Sequence, residues 1–591
     1  MLLKKTKSWI NKSENLGTLF FIQRMDELIY PYTMDSYRAA TTNAPFLILE
    51  SLRVLSDHED HDINPAHIER IWEELEDRMS GNFVANSMLT MPWEEYGKVD
   101  RKNLEALKGT LQVLKVEVQP IKYLKRCFDI VKTNPQSHLK NFDFLAREIC
   151  TTIVNCGVDV KWVSWLLDEH FFREEAPEGE DSVDSFFKKL MPNRSVYTIH
   201  TTIKTDAGKI KKDIRGIFDI EFSDDKPKEI SEHPEGLSAA AGEIYVSIDN
   251  VTAPDPFTAL NNAKRNIARM HDLYGLFYHK GSYQIGTHAI AVDNTDEQAK
   301  DEKNSSYVLR ADANSMELIK DNRRGRADRK LESLIKNVML PGGKDSEKFF
   351  RVVDFHGMSL GSKVPENQLI NLWTSLETIA PSQKGNSIIG SVIGGVVPFI
   401  CLQYFSKIFT NLARDIKRWD DDAFKDALKR AEIPVHTSIA EKAFHLTMLK
   451  ENDAHCTELL EKMNEFPLLR NRIYSINKKA QSGKEFSTWL ESHQKRVEHQ
   501  LYRIYRTRNS IVHSATDPAG IENLIVSAHD YFDQVFSLSS EMCGSPFGFS
   551  NYADCFNFAR MSFENYKRNL EKIENIDQES ASKIVWTYSV K

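Results

Sequence analysis

The chain has 591 residues, too many for one hydrophobic core, and its length predicts two to four domains. Its formal net charge of −8 gives no general attraction for nucleic acid, so any RNA contact has to come from a local basic patch. The seven cysteines include no Cys-x-x-Cys pair, which argues against a zinc ribbon or a disulfide scaffold and fits a reducing, cytoplasmic compartment.

Residues 1–190 are predicted to form a helical N-terminal domain. Apolar residues recur at helical spacing in the stretches 45–55, 64–75, 103–118, 122–131, 142–154 and 160–172. Asn64 and Pro65 open the second stretch as a typical helix start. The acidic, loop-like stretch 173–182 marks the boundary of this domain.

Residues 191–346 are predicted to form a small α/β domain. Their strands are predicted from alternation and β-branched residues at 195–203, 217–222, 243–248 and 288–292. Asp255 and Pro256 introduce a predicted helix over 257–274. The basic run 320–330 is interpreted as a linker or helix start, with contact to RNA phosphates as the alternative.

Residues 347–591 are predicted to be a helical bundle, which makes the whole chain a mainly α, multidomain protein. The four main helices are predicted at 369–380, 398–419, 484–513 and 521–542. Shorter helices are predicted in an insertion over 420–480, between the second and third of these. The final stretch, 584–590, has the alternation of a strand.

One uncharged stretch, 387–405, approaches the length of a membrane span. Glycines and Pro398 interrupt it and no second span accompanies it, so a buried segment of the bundle is predicted, with a membrane segment as the alternative. The short apolar stretch 16–22 lacks the features of a secretory signal. We therefore expect no membrane contact and a cytoplasmic location.

The predicted helix 484–513 carries an arginine on its apolar side. Leu501, Ile504 and Ile511 recur at helical spacing, and Arg508 lies within about 40° of Leu501 and Ile504 at 3.6 residues per turn. An arginine on a packing face is costly unless an anion meets it. His513, a side chain that exchanges a proton near neutral pH, follows five residues later.

Arg508-Asn509 followed by His513 resembles the R-N-x-x-x-H signature of HEPN domains, all-helical bundles that bind nucleotides or RNA. Upstream, residues 366–377 resemble the first bundle helix of the Apea-like branch of that family, and 355–360 resemble the helix that precedes it. The resemblance covers about the last 240 residues. It implies a HEPN-like four-helix bundle over 347–591.

The resemblance implies a metal-independent endoribonuclease without a cofactor. Such proteins are usually bacterial toxins or anti-phage effectors that cut RNA such as tRNA. The upstream domains would then sense a trigger, such as a phage-derived or host protein, or restrain the nuclease. His513 would move protons while a ribose 2′-hydroxyl attacks its own phosphate, and Arg508 would bind the phosphate oxygens. Asn509 and Glu377 complete the predicted catalytic set. In a purely structural interpretation, Arg508 pairs with Glu377 and His513 caps the helix end.

Basic and aromatic residues upstream of Arg508 predict an RNA-binding strip, because cations hold an RNA backbone and rings stack on its bases. The strip consists of Lys495, Arg496, Tyr502, Arg503, Tyr505 and Arg506. The alternative is a solvated helix face. No metal site is predicted, since the polar cluster 58–62 lacks a second group of ligands.

Similar families form symmetric dimers, so a homodimer, or an even-numbered higher oligomer, through the HEPN bundle is expected. In that arrangement Leu501, Ile504 and Ile511 would pack across a two-fold axis, and the paired Arg508 side chains would flank a cleft for one phosphate. Two other functions stay open. The bundle could be a non-catalytic module that binds nucleotide, RNA or protein, or it could be modified by a partner enzyme that acts as an antitoxin.

Overall fold

The computed structural model describes residues 15–29, 42–61, 66–133, 138–173, 180–205, 216–230, 237–279, 281–295, 306–310, 328, 332, 346–382, 387–435, 437–514, 520–543, 549 and 551–586. In these residues the fold is mainly α-helical with a small antiparallel sheet, as predicted. The chain divides into two compact units, one formed by 1–152 together with 314–591 and the other by 153–313.

This division differs from the three consecutive domains predicted at 1–190, 191–346 and 347–591. The N-terminal helices belong to the same unit as the C-terminal bundle, and the unit that contains the sheet interrupts them in the chain. Their contacts explain the grouping, since Gln23 Nε2 donates a 2.9 Å hydrogen bond to the carbonyl oxygen of Glu465, 442 residues away. Local sequence patterns carry no information on such pairings.

The N-terminal segment of the first unit is helical, as its periodicity predicts. Asn82 and Asn103 begin two of its helices by accepting hydrogen bonds from the backbone amides of Ala85 and Ala106. Its helices are α1 (Leu16–Ile29), α2 (Ala44–His61), α3 (Ala66–Met79), α4 (Phe83–Asn86), α5 (Trp93–Tyr96), α6 (Leu104–Glu117), α7 (Pro120–Thr133) and α8 (Leu139–Asn155).

The second unit combines helices with an antiparallel sheet in the strand order β2-β3-β1-β4-β5. Asp255 is the N-cap of its longest helix and accepts a hydrogen bond from the amide of Thr258, and burial raises the pKa of Asp255 to about 6. The elements are α9 (Val160–Leu167), a π-helical turn (Asp168–Phe172), α10 (Glu180–Leu190), β1 (Ser195–Thr205), β2 (Ile220–Ser223), a 3₁₀ turn (Lys228–Ile230), β3 (Ile244–Ala253), α11 (Pro256–Gly275), β4 (Tyr283–Asp293) and β5 (Ser306–Arg310).

In the C-terminal segment of the first unit, the described regular elements are all helices. The predicted insertion over 420–480 contains four helices and a 3₁₀ turn, and its apolar residues join the same core as the main helices. The helices are α12 (Ser346–Gly361), α13 (Pro365–Ile379), α14 (Ile388–Leu402), α15 (Tyr404–Trp419), α16 (Asp421–Arg430), α17 (Ile439–Met448), α18 (Asp453–Lys462), α19 (Pro467–Lys479), α20 (Gly483–Ser514), α21 (Ile521–Cys543), α22 (Tyr552–Glu571) and α23 (Gln578–Ile584).

The uncharged stretch 387–405 forms α14 and the start of α15, and most of its apolar side chains are buried in the core. Taken singly, none of the described helices has the length and apolar character for a membrane crossing. Helices α14 and α15 meet those criteria only as a pair, and they are bent by 41° at the break between them.

Helix α20 is the longest described helix of this unit, and its predicted bounds, 484–513, differ from the observed ones by one residue at each end. Its first residue, Gly483, has no room for a side chain, because the backbone of α22 passes so close that a Cβ atom there would collide with the carbonyl oxygen of Leu570. Val497, Leu501 and Ile504 are buried in the core. The predicted strand over 584–590 is wrong at its start, where Ile584 ends α23, and 587–590 lie outside the described residues.

Candidate active site

The HEPN-like residues occupy the C-terminal end of α20. Asn509 and His513 are four residues apart, so their side chains share one face of the helix, about 5–6 Å apart at Cβ. The Nη1 atom of Arg508 donates a 3.1 Å hydrogen bond to Oδ1 of Asn509. The Arg508 guanidinium is therefore held by a side chain on the same helix face as His513.

Arg508 is half-buried, and within the described part of the chain it forms no ion pair. Its Nε atom is buried and has no hydrogen-bond partner there. A guanidinium has five donor hydrogens and stays protonated. The Nε atom is enclosed, so the Nη donors are those that an anionic ligand would meet.

Glu377 does not neutralise Arg508. Its Oε2 atom accepts a 3.1 Å hydrogen bond from Nε1 of Trp373, one turn earlier on α13. No ion pair within 4 Å joins Glu377 to Arg508 in the described residues, so the predicted structural pair is not formed. The ring of Trp373 contacts Tyr505 on α20, with centroids 5.4 Å apart.

His513 is exposed in the last turn of α20. Val512 beside it is also exposed. The turn that follows, 515–519, lies outside the described residues.

Arg503 and Arg506 are not on an open face, which corrects the predicted RNA-binding strip. The Nε atom of Arg503 donates a 3.0 Å hydrogen bond to Oε2 of Glu50, and its Nη2 atom donates a 2.6 Å bond to Oε2 of Glu74. The Nη2 atom of Arg506 donates a 2.6 Å bond to Oε1 of Glu50. Their side chains are only 8% and 9% exposed. Both arginines are therefore engaged with α2 and α3 and closed to RNA in this conformation.

These ion pairs change the titration of the two carboxylates. Burial alone would raise the pKa of Glu50, but Arg503 and Arg506 outweigh it and lower that pKa to about 2. The pKa of Glu74 is also lowered, since the attraction of Arg503 and His499 exceeds the effect of burial. Both groups are therefore held as carboxylates at neutral pH.

The two tyrosines of the predicted strip also contact the N-terminal helices. The His67 ring lies 6.1 Å from the Tyr502 ring and 5.9 Å from the Tyr505 ring between centroids, and Cζ of Arg70 lies 5.8 Å from the centroid of Tyr502. Neither tyrosine is an open stacking platform in this conformation, which again corrects the prediction. Of the remaining strip residues, Arg496 is half-buried and Lys495 is exposed.

The apolar stripe predicted to form a dimer interface is internal. Leu501 and Ile504 are fully buried in the core of the unit, and Ile511 packs against the same core. The stripe packs within one chain, so a homodimer would need a different surface.

Two other predictions fall outside the described part of the chain. The basic run 320–330 lies outside it apart from Asp328, and the side chains of 58–62 lie outside it as well.

The sequence analysis did not identify two groups of interacting side chains. Glu50 and Glu74 complete the arginine cluster from more than 420 residues away. His356 on α12 lies against His529 on α21, with Nε2 atoms 2.9 Å apart, and Asp533 lies one turn beyond His529. The i, i+4 spacing of His529 and Asp533 was a signal available in the sequence.

Comparison with protein-family models, with curated proteins and with solved structures finds no match for the chain. The resemblance to HEPN domains therefore rests on the motif at Arg508, Asn509 and His513 and on the helix around Glu377.

Proposed function

We propose that the protein is a metal-independent endoribonuclease whose reacting groups are Arg508 and His513. The observation that carries this proposal is a difference within α20. Arg503 and Arg506 are paired with carboxylates, whereas Arg508 hydrogen-bonds only to the neutral amide of Asn509 in the described residues. An arginine left with open donors beside an exposed histidine suits a phosphate ligand.

In the proposed reaction a ribose 2′-hydroxyl attacks the adjacent phosphorus and the bond to the 5′-oxygen breaks, which leaves a 2′,3′-cyclic phosphate and a 5′-hydroxyl. His513 exchanges a proton with the attacking or the leaving oxygen. Arg508 stabilises the negative charge that develops on the phosphoryl oxygens. Asn509 positions the Arg508 guanidinium through their 3.1 Å hydrogen bond.

The resemblance to Apea-like HEPN proteins extends the proposal to a toxin or anti-phage effector that acts on RNA such as tRNA. Helices α2 and α3 bind the middle of α20 through Glu50 and Glu74. In this proposal they hold the helix so that its C-terminal end stays exposed to substrate. A homodimer stays a prediction, through a surface other than the buried stripe.

The test is cleavage of total RNA by the full-length protein in excess EDTA, with analysis of the product ends. We expect 2′,3′-cyclic phosphates from the wild type, and a rate lower by about 10²–10⁴ in His513→Ala, the range for loss of one proton-transfer group. Arg508→Lys, which keeps the charge and loses the planar fork, should also cut slowly. His138→Ala is the matched control, because His138 is exposed in the same unit. Full activity of His513→Ala would contradict the assignment.

A non-catalytic binding module is the second candidate. The observation that favours it is the engagement of Tyr502, Arg503, Tyr505 and Arg506 with the chain's own helices, which covers most of the strip expected to hold an RNA substrate. This candidate predicts RNA or nucleotide binding that needs Arg508 and no cleavage product from the wild type. The cleavage assay therefore separates the two.

A further inference from the structure

A compact group of nitrogen and oxygen ligands joins α12 to α21. His356 Nε2 lies 2.9 Å from His529 Nε2, and Oδ2 of Asp533 lies 3.3 Å from Nδ1 of His529. One ligand atom from each of the three residues lies within 4.8 Å of the other two. The set comes from two different helices, so the fold itself brings it together.

The buried member of this group has an unused polar atom. His529 is 6% exposed, and its Nδ1 atom forms no hydrogen bond with any described residue although the Asp533 carboxylate is close. A buried polar atom without a partner costs free energy, and a bound ion is one way to satisfy it. Burial, with a contribution from His356, lowers the pKa of His529 to about 4, and burial also lowers that of His356.

The two imidazoles are held in place by packing. His356 stacks on Phe532 with ring centroids 5.0 Å apart and contacts the ring of His529 at 5.1 Å. Phe532 is buried in the core of the unit. Two ligands are therefore positioned by the fold before any ion binds, which lowers the entropic cost of binding.

We propose that His356, His529 and Asp533 form a binding site for a divalent transition-metal ion of the zinc class. Two imidazole nitrogens and one carboxylate oxygen are ligands that zinc accepts, and three protein ligands leave a fourth position for water or substrate. The Asp533 side chain is 53% exposed, so the open position faces solvent. This site is separate in sequence from Arg508 and His513, and it revises the expectation that the chain has no metal site.

The geometry needs only side-chain adjustment. Tetrahedral zinc with bonds of about 2.0–2.1 Å holds its ligand atoms about 3.3 Å apart. The Nδ1 atom of His529 and Oδ2 of Asp533 are already 3.3 Å apart, so an ion on that unused nitrogen needs adjustment mainly of His356, whose Nε2 atom faces Nε2 of His529 at 2.9 Å. The bound ion would then bridge α12 and α21 and stabilise their contact.

The experiment is calorimetric titration of chelator-treated, full-length protein with Zn²⁺, together with Co²⁺ as a spectroscopic probe. We expect one equivalent of Zn²⁺ to bind, a visible Co²⁺ spectrum typical of tetrahedral coordination, and a melting temperature that rises with Zn²⁺. Asp533→Asn and His356→Ala should each weaken binding by more than about 100-fold, since even second-shell partners of a metal are worth about 10–100-fold.

Asp530→Asn is the matched control on the same helix, because Asp530 hydrogen-bonds to Lys407 and Gln534 instead. It should bind Zn²⁺ like the wild type. Asp533 is exposed, so its substitution keeps the fold, and circular dichroism checks the His356 and His529 variants. Absence of saturable binding at one equivalent, or unchanged binding in both Asp533→Asn and His356→Ala, would overturn the site and leave an ordinary hydrogen-bonded histidine pair.

Discussion

The middle and the end of α20 carry the same kinds of side chain in opposite environments. In the middle, Arg503 and Arg506 are buried against Glu50 and Glu74, and Leu501 and Ile504 lie in the core. At the end, Arg508 has no described ion pair and His513 is exposed. The comparison teaches that a basic helix sequence does not define a nucleic-acid surface. Whether such a surface is open to nucleic acid depends on whether another part of the chain supplies carboxylates that pair with its arginines.

The largest expected effect comes from placing a charge in the middle region. Ile504→Asp should prevent folding, because an unpaired carboxylate would replace a fully buried side chain. Ile504→Val should cost only about 0.5–1.5 kcal/mol. Circular dichroism and light scattering measure the result, and a folded monomer of Ile504→Asp would show that this stripe is an interface after all.

Breaking the ion pairs of the middle region should have the next largest effect. Arg503→Met removes one of the two arginines that pair with Glu50 and the arginine that pairs with Glu74. Removal of one member of a buried ion pair costs about 3–5 kcal/mol of unfolding free energy. Lys98→Met, at a surface pair in which Lys98 is 68% and Glu95 50% exposed, should cost about 0–1 kcal/mol. Denaturant unfolding compares the two. Equal losses would mean that the buried cluster does not anchor α20.

Acid should weaken the same region in a defined pH window. The pKa of Glu50 is about 2 in the folded state against a usual 4.5, so its contribution is complete above pH 4.5 and is lost as the pH falls towards 2. A shift of this size corresponds to about 3 kcal/mol. The unfolding free energy of Glu50→Gln, measured from pH 7 to pH 2, should therefore fall less steeply than that of the wild type. Parallel curves would contradict the pairing.

The smallest effect is expected at Lys495, the exposed cation of the predicted strip. Lys495→Ala should leave the unfolding free energy within about 0.5 kcal/mol. If Lys495 binds one RNA phosphate, the slope of log affinity against log salt concentration should become shallower by about 0.7. Measurement of RNA binding at several salt concentrations checks this. An unchanged slope would confine RNA contact to the end of the helix.

The bounds of α20 could be predicted from the sequence because they depend on the spacing of apolar residues within the helix itself. The apolar spacing of Val497, Leu501 and Ile504 indicated both the helix and its buried face, and the bounds were off by one residue at each end. The same spacing could not tell an internal core from a dimer interface. That distinction depends on which other helices cover the stripe.

The partners of the arginines could not be predicted from local pattern. Glu50 lies 453 residues from Arg503, and His356 lies 173 residues from His529. A charge run on a helix is compatible with solvent, RNA or a distant carboxylate, and no periodicity separates these. The same reason explains why the N-terminal helices were assigned to a domain of their own.

The chain order of the Glu50–Arg503 pair also matters while the protein is being made. A ribosome adds about 5–20 residues per second, so Glu50 precedes its partner by about 20–90 s. During that interval the carboxylates of α2 and α3 and their apolar faces have no α20 to pack on. The sheet-containing unit, which is contiguous in the chain, can fold meanwhile. The helix that carries Arg508 and His513 is thus added to helices made earlier, so the proposed site is completed only after the sheet-containing unit has been synthesised.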